Sequence, residues 1–361
     1  MPPAATEFCQ RLGIRHPIIQ APMAGVATPA LAAAVSRAGG LGSLGLGASS
    51  ATQARAMVKA TWSEDQLPKT LPLNLNVFCH QPPIPDPTAD AAWLNRLAPL
   101  FGQFSATAPS ELKEIYPSFL RDGDMQALLL EMRPTVVSFH FGLPDADYLN
   151  ALKTAGIFLM ASATNLSEAQ AIEAAGLDAI IAQGIEAGGH RGMFNPAAAD
   201  ERLPAHVLLS QLRAQTKLPI VAAGGIMNGQ GIRSALDLGA AAVQMGTAFI
   251  LCPESSASPA YRVQLGSERA RHTRLTAALS GRPARGLLND FIQQIETSDG
   301  APPAAYPRAY DAFKQLSTAA TRAGSDEYNA HWAGQGAPLA RALPAAELMT
   351  LLVQEAGLIS S

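Results

Sequence analysis

"PIVAAGGIMNGQGIRSALDLGAAAVQMGT" occupies residues 219–247. It opens with a short apolar run, breaks at Gly224–Gly225, and continues as an Ala/Leu helical pattern ending at Gly239. A second apolar run then closes in Gly246–Thr247. Apolar runs of this length bounded by glycine read as buried strands, and a glycine just past a helical pattern is a C-cap signal. Strand, helix and strand in that order form a βα repeat with parallel strands.

The same reading extends outward in both directions. "PIIQA" (17–21), "GLGSLG" (40–45), "LPLNLNVF" (71–78), "TVVSFHFG" (135–142), "IFLMAS" (157–162) and "DAIIAQ" (178–183) precede it as strands. Helical segments such as "TPALAAAVSRAGG" and "LSEAQAIEAAGL" lie between them. With the two strands of 219–247 the count is eight, the number that closes a TIM (β/α)8 barrel. A doubly wound open sheet uses the same units, and the count alone does not exclude it.

Two regions interrupt the repeat. A Pro-rich loop and two extra helices are expected at about 80–130, and residues 252–341 read as a mostly helical, substrate-binding subdomain. The barrel then takes 1–251, and the amphipathic pattern within 342–361 reads as a last helix returning to it.

Composition sets the limits. The chain has 361 residues, 48% of them hydrophobic and 15% charged, enough apolar content for a sizeable core. A formal net charge of −3 gives no basic patch, so nucleic acid is not an expected partner. Cys9, Cys79 and Cys252 are scattered, without metal-ligand spacing or an even disulfide framework. No metal site is expected, and a reducing compartment is favoured. The N-terminal residues lack a charged segment followed by an apolar one, and no apolar stretch approaches about 20 residues. The expectation is a cytoplasmic protein with no membrane partner.

In such a barrel the chemistry collects where strands end. Pro22, Met23 and Ala24 follow the first strand; Asn74 and Asn76 share one face of the third. His140 ends the fourth, and Gln183 the sixth. The sixth runs into "EAGGHRG", where Gly188 and Gly189 turn the backbone and present His190. Gly224 and Gly225 after strand seven, with Gln244, Met245, Gly246 and Thr247 at strand eight, fit a phosphate site of backbone N–H groups and a hydroxyl. Glycines also serve as helix caps, and that reading stays open beside it. A phosphate there, with amides at Asn76 and Gln183, suits a flat ring with polar edges and a phosphate tail, as in flavin mononucleotide (FMN). No P-loop or "GxGxxG" follows a strand.

At these residues the chain resembles a known family. "QAPMAGVATPALAAAVSRAGGLGSLG", "NVFCHQPP", "SFHFGLP", "AQGIEAGGHRGMF" and "GAAAVQMGTAFI" are similar to the motifs of class I nitronate monooxygenases, formerly called 2-nitropropane dioxygenases. The similarity spans nearly all of 10–345. Asn228, where the family frequently has Asp, and Ala242, where it often has Asp, depart from it.

The resemblance implies an FMN enzyme that oxidises alkyl nitronates, propionate 3-nitronate foremost, with O2 to a carbonyl compound and nitrite. One-electron transfer giving a flavosemiquinone is the implied route. Asn76, Gln183, Gly188, Gly225 and the run Gln244–Thr247 would bind FMN, and His190 would be the catalytic histidine. With an unperturbed pKa of about 6.5, such a histidine can present either charge state near neutral pH. His140 is the second candidate, for the substrate. His16, His80, His206, His272 and His331 read as structural or surface residues.

Tyr306, Tyr310 and Lys314 lie four apart, hence on one helix face, and with Tyr261 are candidates to line the substrate pocket. Such a stripe also serves packing. An FMN-dependent NAD(P)H:quinone or enoyl reductase on the same barrel, and a non-catalytic phosphate-ligand-binding barrel, are the competing functions. The oligomeric state is open, a homodimer among the options.

Overall fold

The computed structural model describes residues 1–63 and 71–358. Eight strands form one parallel sheet: β1 (Ile18–Gln20), β2 (Gly42–Gly45), β3 (Leu73–Phe78), β4 (Val136–His140), β5 (Phe158–Ala163), β6 (Ala179–Gln183), β8 (Ile220–Ala223) and β9 (Ala242–Met245). Between β6 and β8 a two-residue strand, β7 (Gly189–His190), belongs to another sheet. The order β1-β9-β8-β6-β5-β4-β3-β2 brings the first two strands to opposite ends. Leu41 joins them, accepting from Gln20 N at 3.0 Å and donating to Ile18 O at 2.9 Å, so the barrel closes. The eight strands are those read from the sequence, and the open-sheet alternative falls with the closure.

Strands covered by helices outside and by one another inside carry continuous apolar runs rather than alternating ones. Every residue of β1, β2, β5, β6 and β8 is buried accordingly. The helix Gly229–Asp237 buries Ile232, Ala235 and Leu236 along one stripe, and Asn228 caps it by accepting from Gly231 N at 2.9 Å. Asn caps here as Asp would, since either side chain offers the capping oxygen. The last helix, Ala345–Glu355, packs against that helix and against Pro29–Arg37, closing the outer ring; residues 359–361 lie outside the described residues.

The two interruptions are one structure. The helix Pro87–Gln103 leaves the barrel and packs on Arg308–Arg322. Trp93, Leu97 and Phe101 from the first join Phe291, Phe313, Leu316 and Tyr328 in a second apolar core. The C-terminal block shows no core pattern of its own in sequence because half of that core lies about 200 residues upstream. It is also less helical than expected. Strands β10 (Thr273–Thr276) and β11 (Ala284–Leu287) form an antiparallel hairpin, and β11 pairs with β7.

Candidate active site

A cavity of about 1310 Å³ opens at the C-terminal ends of the barrel strands, against the helix Arg308–Arg322. That exceeds the roughly 300–1,000 Å³ of a pocket for one small ligand, leaving room for a cofactor and a substrate. Its wall contains every candidate from Pro22 to Lys314 except Asn74. Asn74 is fully buried one pleat below, where its Nδ2 donates to Ser43 Oγ at 3.1 Å.

Part of the cavity wall offers free backbone donors. After β8 the backbone takes φ +123° at Gly224 and +71° at Gly225, a region that side chains disfavour. The backbone N–H groups of Gly224, Gly225, Gly246 and Thr247 donate to no protein acceptor among the described residues. Thr247 Oγ1 accepts from Gly334 N at 3.0 Å, which leaves its own proton free to donate. Nearby, Gln244 Oε1 is buried without any partner, an arrangement that costs free energy unless a ligand supplies a donor. Unsatisfied donors and an unsatisfied amide in the wall fit a flat polar ring with a phosphate tail.

Two of the expected ring contacts have other work. Gln183 Nε2 donates to His190 O at 3.0 Å and its Oε1 accepts from Gly192 N at 2.7 Å, so this amide clamps β7 to the barrel. Asn76 Nδ2 bonds Ser138 Oγ and O at 3.0 and 3.1 Å, and its oxygen stays available. At Gly188 a Cβ would lie 2.5 Å from Gly334 N, so a neighbouring segment requires that glycine. Gly189 adopts φ +74° with open space around it.

His190 lies on the wall of the same cavity. Its ring is surrounded by Trp332, Tyr306, Phe141 and Tyr310, with centroids 5.2, 5.5, 5.7 and 6.3 Å away. Burial, with His140, Arg282 and His80 adding positive potential, pushes His190 down to about 3. Burial therefore favours the neutral ring over the two charge states expected near neutral pH. The reason is invisible locally, because the hairpin brings Arg282 to the site. Arg282 is buried, lies 4.1 Å over the Phe141 ring and forms no ion pair among the described residues. Burial lowers it to about 10, so it keeps its charge at neutral pH. The Glu168 carboxylate offsets part of that charge, and an anion in the cavity would raise His190 again.

His140 is engaged on both ring nitrogens: Nδ1 lies 2.9 Å from Ser162 Oγ and Nε2 3.1 Å from His190 O. A carbonyl only accepts, so Nε2 carries the proton and Nδ1 accepts from the serine. Burial holds this ring down to about 4. His140 thus secures the backbone of His190 while forming part of the wall.

Tyr310 and Lys314 share a helix face, but Tyr306 precedes the helix, which begins at Arg308. The four-residue spacing there is a turn leading into the helix, with Tyr306 stacked edge-on against His80 at 4.9 Å. Lys314 Nζ donates to Tyr116 OH at 2.6 Å at the exposed side of the cavity. Tyr261 is buried, its hydroxyl donates to Trp332 O and its ring stacks on His331 at 4.7 Å. It holds the Trp332 segment in place.

A profile of the nitronate monooxygenase family matches residues 6–355. The chain belongs to that family. Nitronate monooxygenase from Paraburkholderia phytofirmans is 55% identical over 95% of this chain and 93% of its own length. That of Pseudomonas aeruginosa is 54% identical over 96% and 98%. Among solved structures, nitroalkane oxidase from Streptomyces ansochromogenes superposes with a TM-score of 0.87 at 39% identity, covering 98% of both chains. FabK from Thermotoga maritima gives 0.73 at 29%, covering 97% of this chain and 96% of its own. As a member of the nitronate monooxygenase family the protein is an oxidoreductase of the flavin-dependent kind. No helix among the described residues is long and apolar enough to cross a membrane.

Several residues of the site escape sequence reading. Ser162, Ser280, Arg282 and Tyr116 follow no motif spacing, and only the hairpin and the second core bring the last three to the barrel mouth. His80 and His331, read as structural or surface residues, both pack on candidate tyrosines.

Proposed function

We propose that this oxidoreductase is an FMN-dependent nitronate monooxygenase that converts small alkyl nitronates and O2 into carbonyl compounds and nitrite. The observation that carries this reading is a single cavity that joins unsatisfied phosphate-type donors to a histidine in an aromatic cage. Gly224, Gly225, Gly246 and Thr247 would hold the phosphate, and Asn76 and Gln244 the ring edge. Bound there, the flavin supplies the electron acceptor that links the nitronate to O2.

The chain's own residues do the rest. Trp332, Tyr306, Phe141 and Tyr310 pack around the His190 ring and limit its contact with water. With a neutral nitroalkane, His190 accepts the α-proton and the nearby nitronate stabilises the resulting imidazolium. With a preformed nitronate, the ring and the Arg282 charge behind it orient the anion. Lys314 adds a cation at the outer side of the cavity, which suits a substrate with a second negative group such as propionate 3-nitronate.

The protein loaded with flavin should release FMN on denaturation and form nitrite with O2 uptake on propionate 3-nitronate. Release of FAD, or failure to bind any flavin, contradicts the cofactor assignment. A reductase on the same barrel would take electrons from NAD(P)H and need no nitronate.

A further inference from the structure

A neutral imidazole has one N–H and one lone pair, and only the lone pair can take up a proton. At His190 the groups around Nε2 decide which nitrogen is which. Ser280 Oγ is fully buried, 2.8 Å from His190 Nε2, 3.1 Å from the Arg282 carbonyl and 3.3 Å from Arg282 N. The hydroxyl has one proton to give and two lone pairs to fill. A carbonyl cannot donate, and no other donor reaches Arg282 O among the described residues. If the serine proton pointed at His190, that carbonyl would be left buried and unsatisfied, a costly arrangement. If it points at Arg282 O, the oxygen accepts from Arg282 N and from His190 Nε2–H, and every group is satisfied.

We propose that Ser280 is a positioning residue that holds His190 as the Nε2–H tautomer, with the Nδ1 lone pair presented to the cavity. The catalytic part of this rests on the reading of His190 as base under Proposed function. Nδ1 makes no hydrogen bond to the protein among the described residues and is not sealed off, so the cavity reaches it. The backbone of His190 is fixed from the opposite side. Its carbonyl accepts from Gln183 Nε2 and His140 Nε2, and β7 pairs with Ala284. Ring and backbone are thus clamped independently. In the step served, the substrate Cα–H bond breaks, its electron pair enters the C=N bond of the nitronate, and the proton goes to Nδ1. The Nε2–H···Oγ bond persists throughout, so no second proton moves.

The experiment is nitrogen NMR of the flavin-loaded protein with 15N-labelled histidine rings, His190 assigned by its loss in His190→Asn. Wild type should show His190 protonated at Nε2 and unprotonated at Nδ1 between pH 6 and 8. In Ser280→Ala the two tautomers should mix. Turnover of a neutral nitroalkane should then fall about 10-fold or more, within the roughly 10²–10⁴ that a whole general base is worth, at nearly constant KM. Ser280→Thr keeps the hydroxyl and should restore tautomer and rate together. A wild-type His190 protonated at Nδ1, or an even mixture, overturns the proposal, and this spectrum decides even if neither variant folds. So does Ser280→Ala with spectrum and rate unchanged. A wild type with the Nε2–H tautomer that oxidises neither nitroalkane nor nitronate supports the lock and overturns the functional reading instead.

Discussion

At His190, burial and the Arg282 charge push in the same direction, toward the neutral ring, and a base must be neutral before it acts. The free protein should therefore hold this base ready far below the usual histidine range. On a neutral nitroalkane, kcat/KM should show its acidic limb below 6.5, because burial lowers the ring, with the anionic cofactor setting how far below. A limb at 6.5 or above in the pH profile would mean that the ring is solvated and the cage open. Replacing His190 by Asn keeps a polar side chain but removes the basic nitrogen. Nitroalkane turnover should fall by about 10²-fold or more while flavin content is retained. Preformed nitronate, which needs no deprotonation, should lose less. Equal losses on both substrate forms would reduce His190 to an anion-binding group. The histidine itself was legible from "EAGGHRG". Its protonation state was not, since Ser280 and Arg282 are about 90 residues away and reach it only through the pairing of β11 with β7.

Among the elements, the barrel strands were readable because burial on both faces writes each as an apolar run ending in glycine or a polar residue. β7 was not: two residues between glycines carry no period, and its partner is remote in sequence. The second core was hidden for a related reason. Trp93 and Phe313 are each one apolar residue on an unremarkable helix until Pro87–Gln103 meets Arg308–Arg322. Phe313 is buried, 4.9 Å from Phe291 and stacked on Tyr310 at 6.0 Å. Phe313→Ala should cost about 3–5 kcal/mol in that core. It should also raise KM through the displaced Tyr310, with flavin affinity nearly unchanged because the phosphate end rests on β8 and β9. Denaturant unfolding with parallel kinetics checks this, and loss of flavin with KM intact would place the cofactor under the helix rather than at the strands.

Four histidines of the molecule resist protonation, the buried His80 and His331 at about 4 and, half-buried on the cavity wall, His140 at about 4 and His190 at about 3, each held down mainly by desolvation; His16 is lowered as well. Unfolded, all four titrate at about 6.5. Between those values the unfolded chain binds more protons than the native one, so stability is intact above pH 6.5 and falls as the pH drops toward 4. Unfolding at pH 5 should take up protons at these groups, which the pH dependence of the denaturant midpoint measures; a midpoint constant from pH 7 to 5 would contradict the burial of the cage.

The central claim is that nitronate, not a nicotinamide, is what this barrel oxidises, and it is tested most directly by mixing the flavin-loaded protein anaerobically with propionate 3-nitronate and, separately, with NADH while following flavin absorbance. The nitronate should bleach the oxidised flavin band within the time of a turnover, and NADH should leave it unchanged over the same period. Rapid bleaching by NADH with no response to the nitronate would contradict the account and assign the cavity to a reductase.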